Sequence, residues 1–400
     1  MRLVHKYGGS SVATPEQIVA IAEYVAQLAK EGCQMVVVAS AMGKTTNRLI
    51  ELAKSMGPKK NKREMDALLS TGEIQTVSLL AMAIENQGVP AVSMTGFQSG
   101  FITNDVHSKA FIKDIDAERV EKELASGKVV VMAGFQGITE SGDITTLGRG
   151  GSDTTAVAIA AKLKCDCEIY TDVESVCTVD PRVYPNAKKI HKITYDEMME
   201  MAASGAGVLE TRCVELAKKY GVRLYLGKTL EKDKTKGTYV MENTNFFESM
   251  PVTGMSIKHN TSIVSFRHLE QTADSSAKIF KIISDNNINL DMINQNMFDG
   301  KIAFSFSCSD EQAEELAQYL TTHKAEENIV LDIRSGLTKI TLTGVGMATH
   351  TGVATSAFSL LSQNGIPYYQ ITTSEISITF TIDRENSDKT VNLLADYFNL

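Results

Sequence analysis

The sequence predicts an α/β protein in which helices cover both faces of a largely parallel sheet, followed by a smaller β-α-β-β-α-β module present twice. Three observations predict it. Short continuous apolar runs alternate with helical patterns through the first 230 residues, the rhythm of buried parallel strands and their crossover helices. That rhythm weakens after Lys228, where residues 231–251 turn polar and carry Gly237 and Pro251. Beyond them, Phe280–Ile293 aligns without gaps on Phe358–Ile371: one Phe, one Ser, one Asn and two Ile are identical, and Ile282/Leu360 and Ile283/Leu361 keep one apolar face.

Arg2–Lys6 reads as a strand, with Gly8-Gly9-Ser10-Ser11 after it. Thr14 then caps a helix that has Pro15 at its first position and Gln17 closing a capping box. Ile18, Ile21, Ala22, Val25, Leu28 and Ala29 keep helical spacing until Gly32 stops it. Met35–Ser40 is a continuous apolar run, and residues 90–94, 128–133, 168–171 and 222–226 read the same way. Helical patterns over 64–86, 116–125, 152–163 and 207–220 separate these strands, and the positive charges at 54–63 read as a solvated loop. Each copy of the repeat continues into an alternating strand (303–307 and 376–381) and a second helix (310–322 and 386–398). That order in about seventy residues is ferredoxin-like, and two copies are too few for a solenoid. The expected division is 1–230, a connection over 231–251, then modules at 252–333 and 334–400.

Composition narrows the function. With 40 Lys+Arg against 48 Asp+Glu the formal net charge is −8, which argues against a sequence-independent grip on nucleic acid. No apolar run reaches the roughly 20 residues that span a bilayer, and Met1 leads straight into a strand rather than a signal peptide. The six cysteines are scattered with no CxxC pair. Free thiols in a cytoplasmic protein, and no protein-held metal, are the expectation.

In an open parallel sheet, ligands bind at the carboxyl ends of strands. Three loops there carry chemistry. In Lys6-Tyr7-Gly8-Gly9-Ser10 a cation ends a strand and two glycines let backbone N–H groups approach an anion. In Thr145–Thr155 three glycines surround Arg149, and Ser152-Asp153-Thr154-Thr155 opens an Ala-rich helix whose free N–H groups and dipole favour negative charge. Tyr170-Thr171-Asp172-Val173 and Val179-Asp180-Pro181-Arg182 put two carboxylates and an Arg after an apolar strand, suited to ribose hydroxyls, a Mg²⁺ shell or phosphate. Gly43-Lys44-Thr45 and Gly227-Lys228-Thr229 are not P-loops, because Val38 and Val222 stand where the leading glycine is needed.

Together, Lys-Tyr-Gly-Gly-Ser-Ser-Val at 6–12, Val-Ala-Ser-Ala-Met-Gly at 38–43, Leu-Ser-Thr-Gly-Glu at 69–73, Gly-Phe-Gln-Gly at 134–137, Thr-Leu-Gly-Arg-Gly-Gly-Ser-Asp-Thr-Thr-Ala at 146–156, and the two segments at 170–182 resemble the aspartate kinase family. The resemblance runs in order along the whole chain, and the C-terminal pair resembles the tandem ACT domains of the monofunctional type. It implies an amino-acid-kinase-like α/β/α sandwich and phosphorylation of L-aspartate by ATP with Mg²⁺. It places Lys6 and Asp153 at the transfer, and Thr46, Glu73, Arg149, Gly150, Gly151 and Ser152 on aspartate. Lys6, Tyr7, Gly8, Gly9, Ser40, Thr171, Asp172, Cys177, Asp180, Arg182 and Lys228 fall on ATP. For an amino-acid effector, lysine or threonine, the lining expected is Asn294, Gln295 and Asn296, with Thr349, Gly352, Val353, Thr373, Ser374 and Glu375, at a junction between copies in a homo-oligomer. Two departures stand out. Gly205–Thr211 lacks the family's Lys and His-Pro, and Ala273-Asp274 replaces Pro-Gly in the first module. The rival readings are a kinase for another small acid or a nucleoside monophosphate on the same fold, against which Glu73 and Arg149 argue, and a catalytically dead amino-acid sensor.

Overall fold

The computed structural model describes residues 1–57, 61–242, 251–270, 273–286, 288–298, 300–323 and 330–400. Residues 58–60 of the charged loop and 243–250 of the expected connection lie outside the described residues. The chain divides into two compact units. One comprises Met1–Cys177, Lys189–Ala203 and Gly207–Phe246; the other comprises Thr178–Lys188, Ser204–Ala206 and Phe247–Leu400.

The first unit opens with β1 (Arg2–Tyr7), α1 (Pro15–Lys30) and β2 (Gln34–Ala39), where the capping box at Thr14 and Gln17 is formed as the sequence predicts. Then come α2 (Thr45–Ser55), α3 (Lys62–Asn86), β3 (Ala91–Met94), β4 (Phe101–Thr103), β5 (Ile112–Ile115), α4 (Glu118–Ala125) and β6 (Val129–Ala133). They are followed by β7 (Gln136–Ile138), β8 (Ile144–Thr146), α5 (Gly151–Leu163), β9 (Asp166–Thr171), the short pair β10 (Val176–Cys177) and β11 (Lys189–Ile190), and β12 (Lys192–Thr194). The unit closes with α6 (Tyr195–Ala203), α7 (Thr211–Tyr220), β13 (Leu224–Lys228) and β14 (Thr238–Met241).

The main sheet runs β12-β14-β13-β9-β1-β2-β6-β3, and only the β13–β14 pair in it is antiparallel. A four-stranded sheet, β5-β4-β7-β8, stands beside it. Residues 231–251 are therefore not wholly a connection. Thr238 and Val240 are fully buried in β14, whose four residues alternate behind Gly237, a pattern too short to register against polar neighbours. Val36, Val37 and Val38 have no exposure, as expected for strands covered on both faces. On one face Leu3 and Tyr7 pack with Ile18, Ile21, Val25 and Leu80 of α1 and α3. On the other, α5 lies across β1, β2 and β9. By length and composition α3 would cross a membrane, but half of its most apolar stretch is buried here, and Asp66 and Glu73 sit inside.

His5, fully buried on the α1 side of β1, is the centre of a polar network. Glu168 of β9 accepts hydrogen bonds from Tyr170 Oη at 2.7 Å and from Lys234 Nζ, and His5 Nε2 faces it at 3.0 Å. An ionised Glu168 can only accept, so His5 Nδ1 is left to accept from Tyr7 Oη at 3.1 Å. Burial lowers the His5 imidazole and keeps it neutral. Burial alone would raise Glu168, but the His5 N–H and the Lys234 ammonium outweigh it and hold the carboxyl well below its ordinary range. The Lys234 ammonium also lies over the rings of Tyr170 and Tyr225, at 4.9 and 4.4 Å from the centroids.

In the second unit β15 (Gly254–Glu270), α8 (Ala273–Asp285), β16 (Asp291–Phe298), β17 (Lys301–Ser309), α9 (Asp310–His323) and β18 (Val330–Thr343) precede α10 (Val353–Gln363), β19 (Tyr368–Thr373), β20 (Ser377–Asp383) and α11 (Ser387–Phe398). Their sheet order is β16-β17-β15-β18-β20-β19. The two modules are interlocked rather than consecutive. The later half of β15 and the first residues of β18 belong to the first module, but Gly254–Lys258 pairs with Lys339–Thr343 and supplies the fourth strand of the second. The expected boundary at 252–333 and 334–400 needs that amendment, because two long strands serve both modules. Each strand breaks register where it passes between them, at Asn260 (φ 55°) and Gly336 (φ 73°). Each module keeps its own apolar core: Val264, Phe266, Phe304 and Phe306 in the first, Ile340, Leu342, Phe380 and Val391 in the second.

Candidate functional site

β1 lies at the switch point of the main sheet, with β2 on one side and β9 on the other, where parallel sheets open a crevice at their carboxyl ends. The loops at that edge are tied together by backbone bonds. Gly8 N donates to Tyr170 O (3.1 Å), Ser40 N to Tyr7 O (3.2 Å), Gly43 N to Gly9 O (2.9 Å), and Gly134 N to Ala39 O (3.1 Å). Thr229 N donates to Thr171 O (3.0 Å), which brings Lys228, the register partner of Thr171, to the same edge.

Lys6 points to the α5 side of the sheet, opposite His5 and Tyr7. It is 7% exposed, and its Nζ meets Asp153 Oδ1 in the first turn of α5 at 2.5 Å. That turn is pressed against the sheet. A Cβ on Gly134 would lie 2.7 Å from the Ser152 side chain, so the strand-end glycine lets the helix start approach. Gly150 caps α5 in the left-handed region (φ 64°), which an L side chain adopts at a cost. Arg149 stands exposed between Gly148 and Gly150, with Gly151 and Ser152 following it into the helix.

Glu73 of α3 is 3% exposed. Its Oε1 accepts the Ala41 N–H at 3.2 Å, and its Oε2 is buried with no hydrogen-bond partner among the described residues. Burial raises the carboxyl to about 7, with the Ala41 bond pulling the other way. A buried carboxylate with one free oxygen is a receptor for a cation such as an ammonium group. Thr46, the second residue of α2, lies close by, since α3 packs on Ala41 and Thr45 at Gly72.

Thr171 caps its own turn by accepting the Val173 N–H at 3.0 Å; Asp172 is exposed and Cys177 partly buried. Asp180 and Arg182 pair with each other at 2.6 Å within Thr178–Lys188, a segment of the second unit. Val179 and Tyr184 beside them enter that unit's core with Ile340 and Phe380. Among the described residues no group of three His, Cys, Asp or Glu is placed to hold a metal ion.

In the second unit Asn294, Gln295 and Asn296 are exposed on β16. Gly352 is the left-handed N-cap of α10 (φ 101°), followed by the buried Val353. Thr349 Oγ1 donates to Gly346 O at 3.2 Å. Ser374 shares a hydroxyl contact of 2.8 Å with Ser377, between Thr373 and Glu375. The Asp274 side chain lies outside the described residues.

Two groups that sequence reasoning passed over stand at the same edge. Glu210 lies directly on Gly150, whose added Cβ would fall 2.4 Å from the Glu210 Cβ. Burial and the nearby Asp153 raise its carboxyl. Asp66, fully buried on α3, accepts four hydrogen bonds from the loops beside the site. Its spacing of seven from Glu73, two turns of one helix face, was the available signal.

Residues 1–228 match the amino acid kinase family and residues 340–398 an ACT domain. Over its full length the chain is 43% identical to an aspartokinase of Bacillus sp. strain MGA3, covering 97% of it, and 42% identical to aspartokinase 2 of Bacillus subtilis strain 168, covering 98%. Its fold resembles the crystal structure of E. coli aspartokinase III in complex with aspartate and ADP, with a TM-score of 0.84, 23% identity and 99% of each chain covered.

Proposed function

From a chain that belongs to the aspartokinases (aspartate kinases, EC 2.7.2.4) within the amino acid kinase family, we propose how the residues divide the reaction that gives ADP and 4-phospho-L-aspartate. The observation that carries this reading is the meeting of Lys6 with Asp153 at the switch point, beside a buried Glu73 with one oxygen unspent. The acceptor is already a carboxylate, so no general base is needed. What the reaction needs is in-line placement and relief of repulsion between anions. Lys6 leaves Asp153 to meet the transferring phosphoryl group. Tyr7, Gly8, Gly9 and Ser40 line the phosphates; Thr171, Asp172, Cys177 and Lys228 line the nucleotide. Arg149 forks onto the α-carboxylate of aspartate, Glu73 takes its α-ammonium, and Thr46, Gly150, Gly151 and Ser152 hold the rest. Mg²⁺ would come with the ATP phosphates and would supply charge neutralisation there.

Acyl phosphate trapped by hydroxylamine, measured with ATP and Mg²⁺ over a panel of acidic amino acids, tests this. Aspartate should react and glutamate poorly. Equal turnover of glutamate, or none of either, would refute the assignment. The pH profile adds a second test. Glu73 must be ionised to hold an ammonium, and burial holds it near 7 before substrate arrives. Therefore kcat/KM for aspartate should rise with pH through about 7 and level off, while Glu73→Gln abolishes that limb.

The ACT modules make the enzyme a feedback-regulated first step toward lysine, threonine and methionine, in a cytoplasmic homo-oligomer joined through those modules. The catalytic domain is taken as 1–230, extended by β14. Lysine is the first expected inhibitor and threonine the second. A coupling of about 1–3 kcal/mol between effector and substrate states is sufficient. Gly352→Asp puts a carboxylate and a strained backbone at the start of α10 and should relieve inhibition more than Asp274→Gly. Titration of lysine, threonine and both against wild type and the two variants decides it. Activity unchanged at millimolar levels of both refutes feedback by these effectors.

A further inference from the structure

We propose that Asp66 is a positioning residue for aspartate recognition, acting through the Arg149 loop; the proposal rests on the assignment of Arg149 to the substrate. Asp66 is fully buried, two helical turns before Glu73 on α3. Its Oδ2 accepts Ser108 N at 2.8 Å, Thr146 N at 3.0 Å and His107 Nδ1 at 3.2 Å, and its Oδ1 accepts Thr146 Oγ1 at 2.7 Å. Four donors, two from the 107–108 loop and two from Thr146 at the end of β8, converge on one carboxylate. A carboxylate has about four lone-pair sites and accepts only, so an amide in its place would turn a donor toward these donors.

The connection to the substrate is short. Thr146 ends β8, and Leu147-Gly148-Arg149-Gly150 follow it directly into α5. The loop is held from its other side too: Leu147 N donates to Phe135 O at 2.9 Å, and Arg212 Nη1 donates to Ala110 O at 3.1 Å and to Leu147 O at 3.2 Å. Gln136 adds a parallel tie, its Nε2 donating to Ser70 O of α3 at 2.6 Å. Asp66 thereby fixes the base of the Arg149 loop to the same helix that carries Glu73. The two groups assigned to opposite ends of the amino acid, one for its carboxylate and one for its ammonium, are set at a fixed separation by one rigid element. Ligand-contacting groups held this way keep the geometry that recognition needs.

The test is steady-state kinetics with both substrates varied, on Asp66→Asn, Arg149→Ala and the double variant, together with amide hydrogen exchange at Ser108 and Thr146. Asp66→Asn should raise KM for aspartate about 10–100-fold, as expected for a broken buried charged hydrogen-bond set. KM for ATP should stay within about two-fold, since none of the residues placed on ATP lies in this loop. In the Arg149→Ala background the same change should add little, because the two act as one unit. Exchange at Ser108 and Thr146 should quicken. Thr146→Val, which keeps the backbone bond and loses only the hydroxyl, should show the same pattern more weakly and decides the matter if Asp66→Asn does not fold. Equal rises in both KM values, or full additivity with Arg149→Ala, would overturn the proposal. A wild type that phosphorylates no aspartate would overturn the proposed reaction instead, and the exchange rates then decide whether Asp66 holds the loop.

Discussion

Replacing Lys6 by Met lowers kcat by about 10²–10³, the expected loss when one preorganised electrostatic stabiliser is removed, and leaves KM for aspartate near its wild-type value. Methionine keeps much of the length and apolar stem of lysine, so the strand end stays filled while the charge is lost. The charge sits where little water reaches it, 7% exposed, against a carboxylate in the first turn of α5. In such a place a cation interacts with a developing anion far more strongly than in water. Because that anion develops on the transferring group and not on bound aspartate, the loss falls on kcat. Initial rates over a matrix of ATP and aspartate concentrations check it. A change confined to KM for aspartate would show that Lys6 belongs to the acceptor and not to phosphate.

Glu168→Ala destabilises the first unit by about 1.5–3 kcal/mol, the range for losing hydrogen bonds to a partly buried charged group. Removing the acceptor strands the His5 N–H, the Tyr170 hydroxyl and the Lys234 ammonium together. The lysine cannot simply swing into water without giving up its contacts over Tyr170 and Tyr225. Urea unfolding followed by circular dichroism reads the shift. The pH dependence has a definite sign. The Glu168 carboxyl is depressed in the folded state, so its contribution is complete above the ordinary carboxylate pKa and is lost as pH falls toward the folded value. Wild type and Glu168→Ala should therefore converge in stability as the solution is acidified below about pH 4. A gap that persists unchanged into that range would mean the network contributes by packing and not by charge.

What the sequence made legible follows from how local each signal is. The first strand and helix could be read because Thr14, Pro15 and Gln17 act on their own neighbours, and the Met35–Ser40 run needs no partner to be recognised as buried. The glycine-rich run ending in Ser152-Asp153 was readable for the same reason: its glycines and caps describe a helix start wherever it lands. β14 was not readable, since four residues acquire strand character only by lying beside β13. Nor was the placement of Val179 and Tyr184, whose burial depends on residues more than 150 positions later. Asp66 is the clearest case. In sequence it is one more acid on an amphipathic helix, and its four donors come from loops that arrive some forty to eighty positions downstream.

The shared strands of the ACT modules have a consequence for the order of events on the ribosome. Gly254–Lys258 leaves the exit tunnel about eighty residues before the strand it pairs with, a delay of several seconds at roughly 5–20 residues per second. During that time the whole of α8, β16, β17 and α9 is made, but the first module receives its last strand, Val330–Arg334, only just before the partner of Gly254–Lys258 emerges. For those seconds the nascent chain thus carries β15 without β18, an edge open to any other extended segment nearby. Two ribosomes on one message would present such edges to each other, so premature pairing between neighbouring chains is the characteristic misassembly to look for when this protein is overproduced.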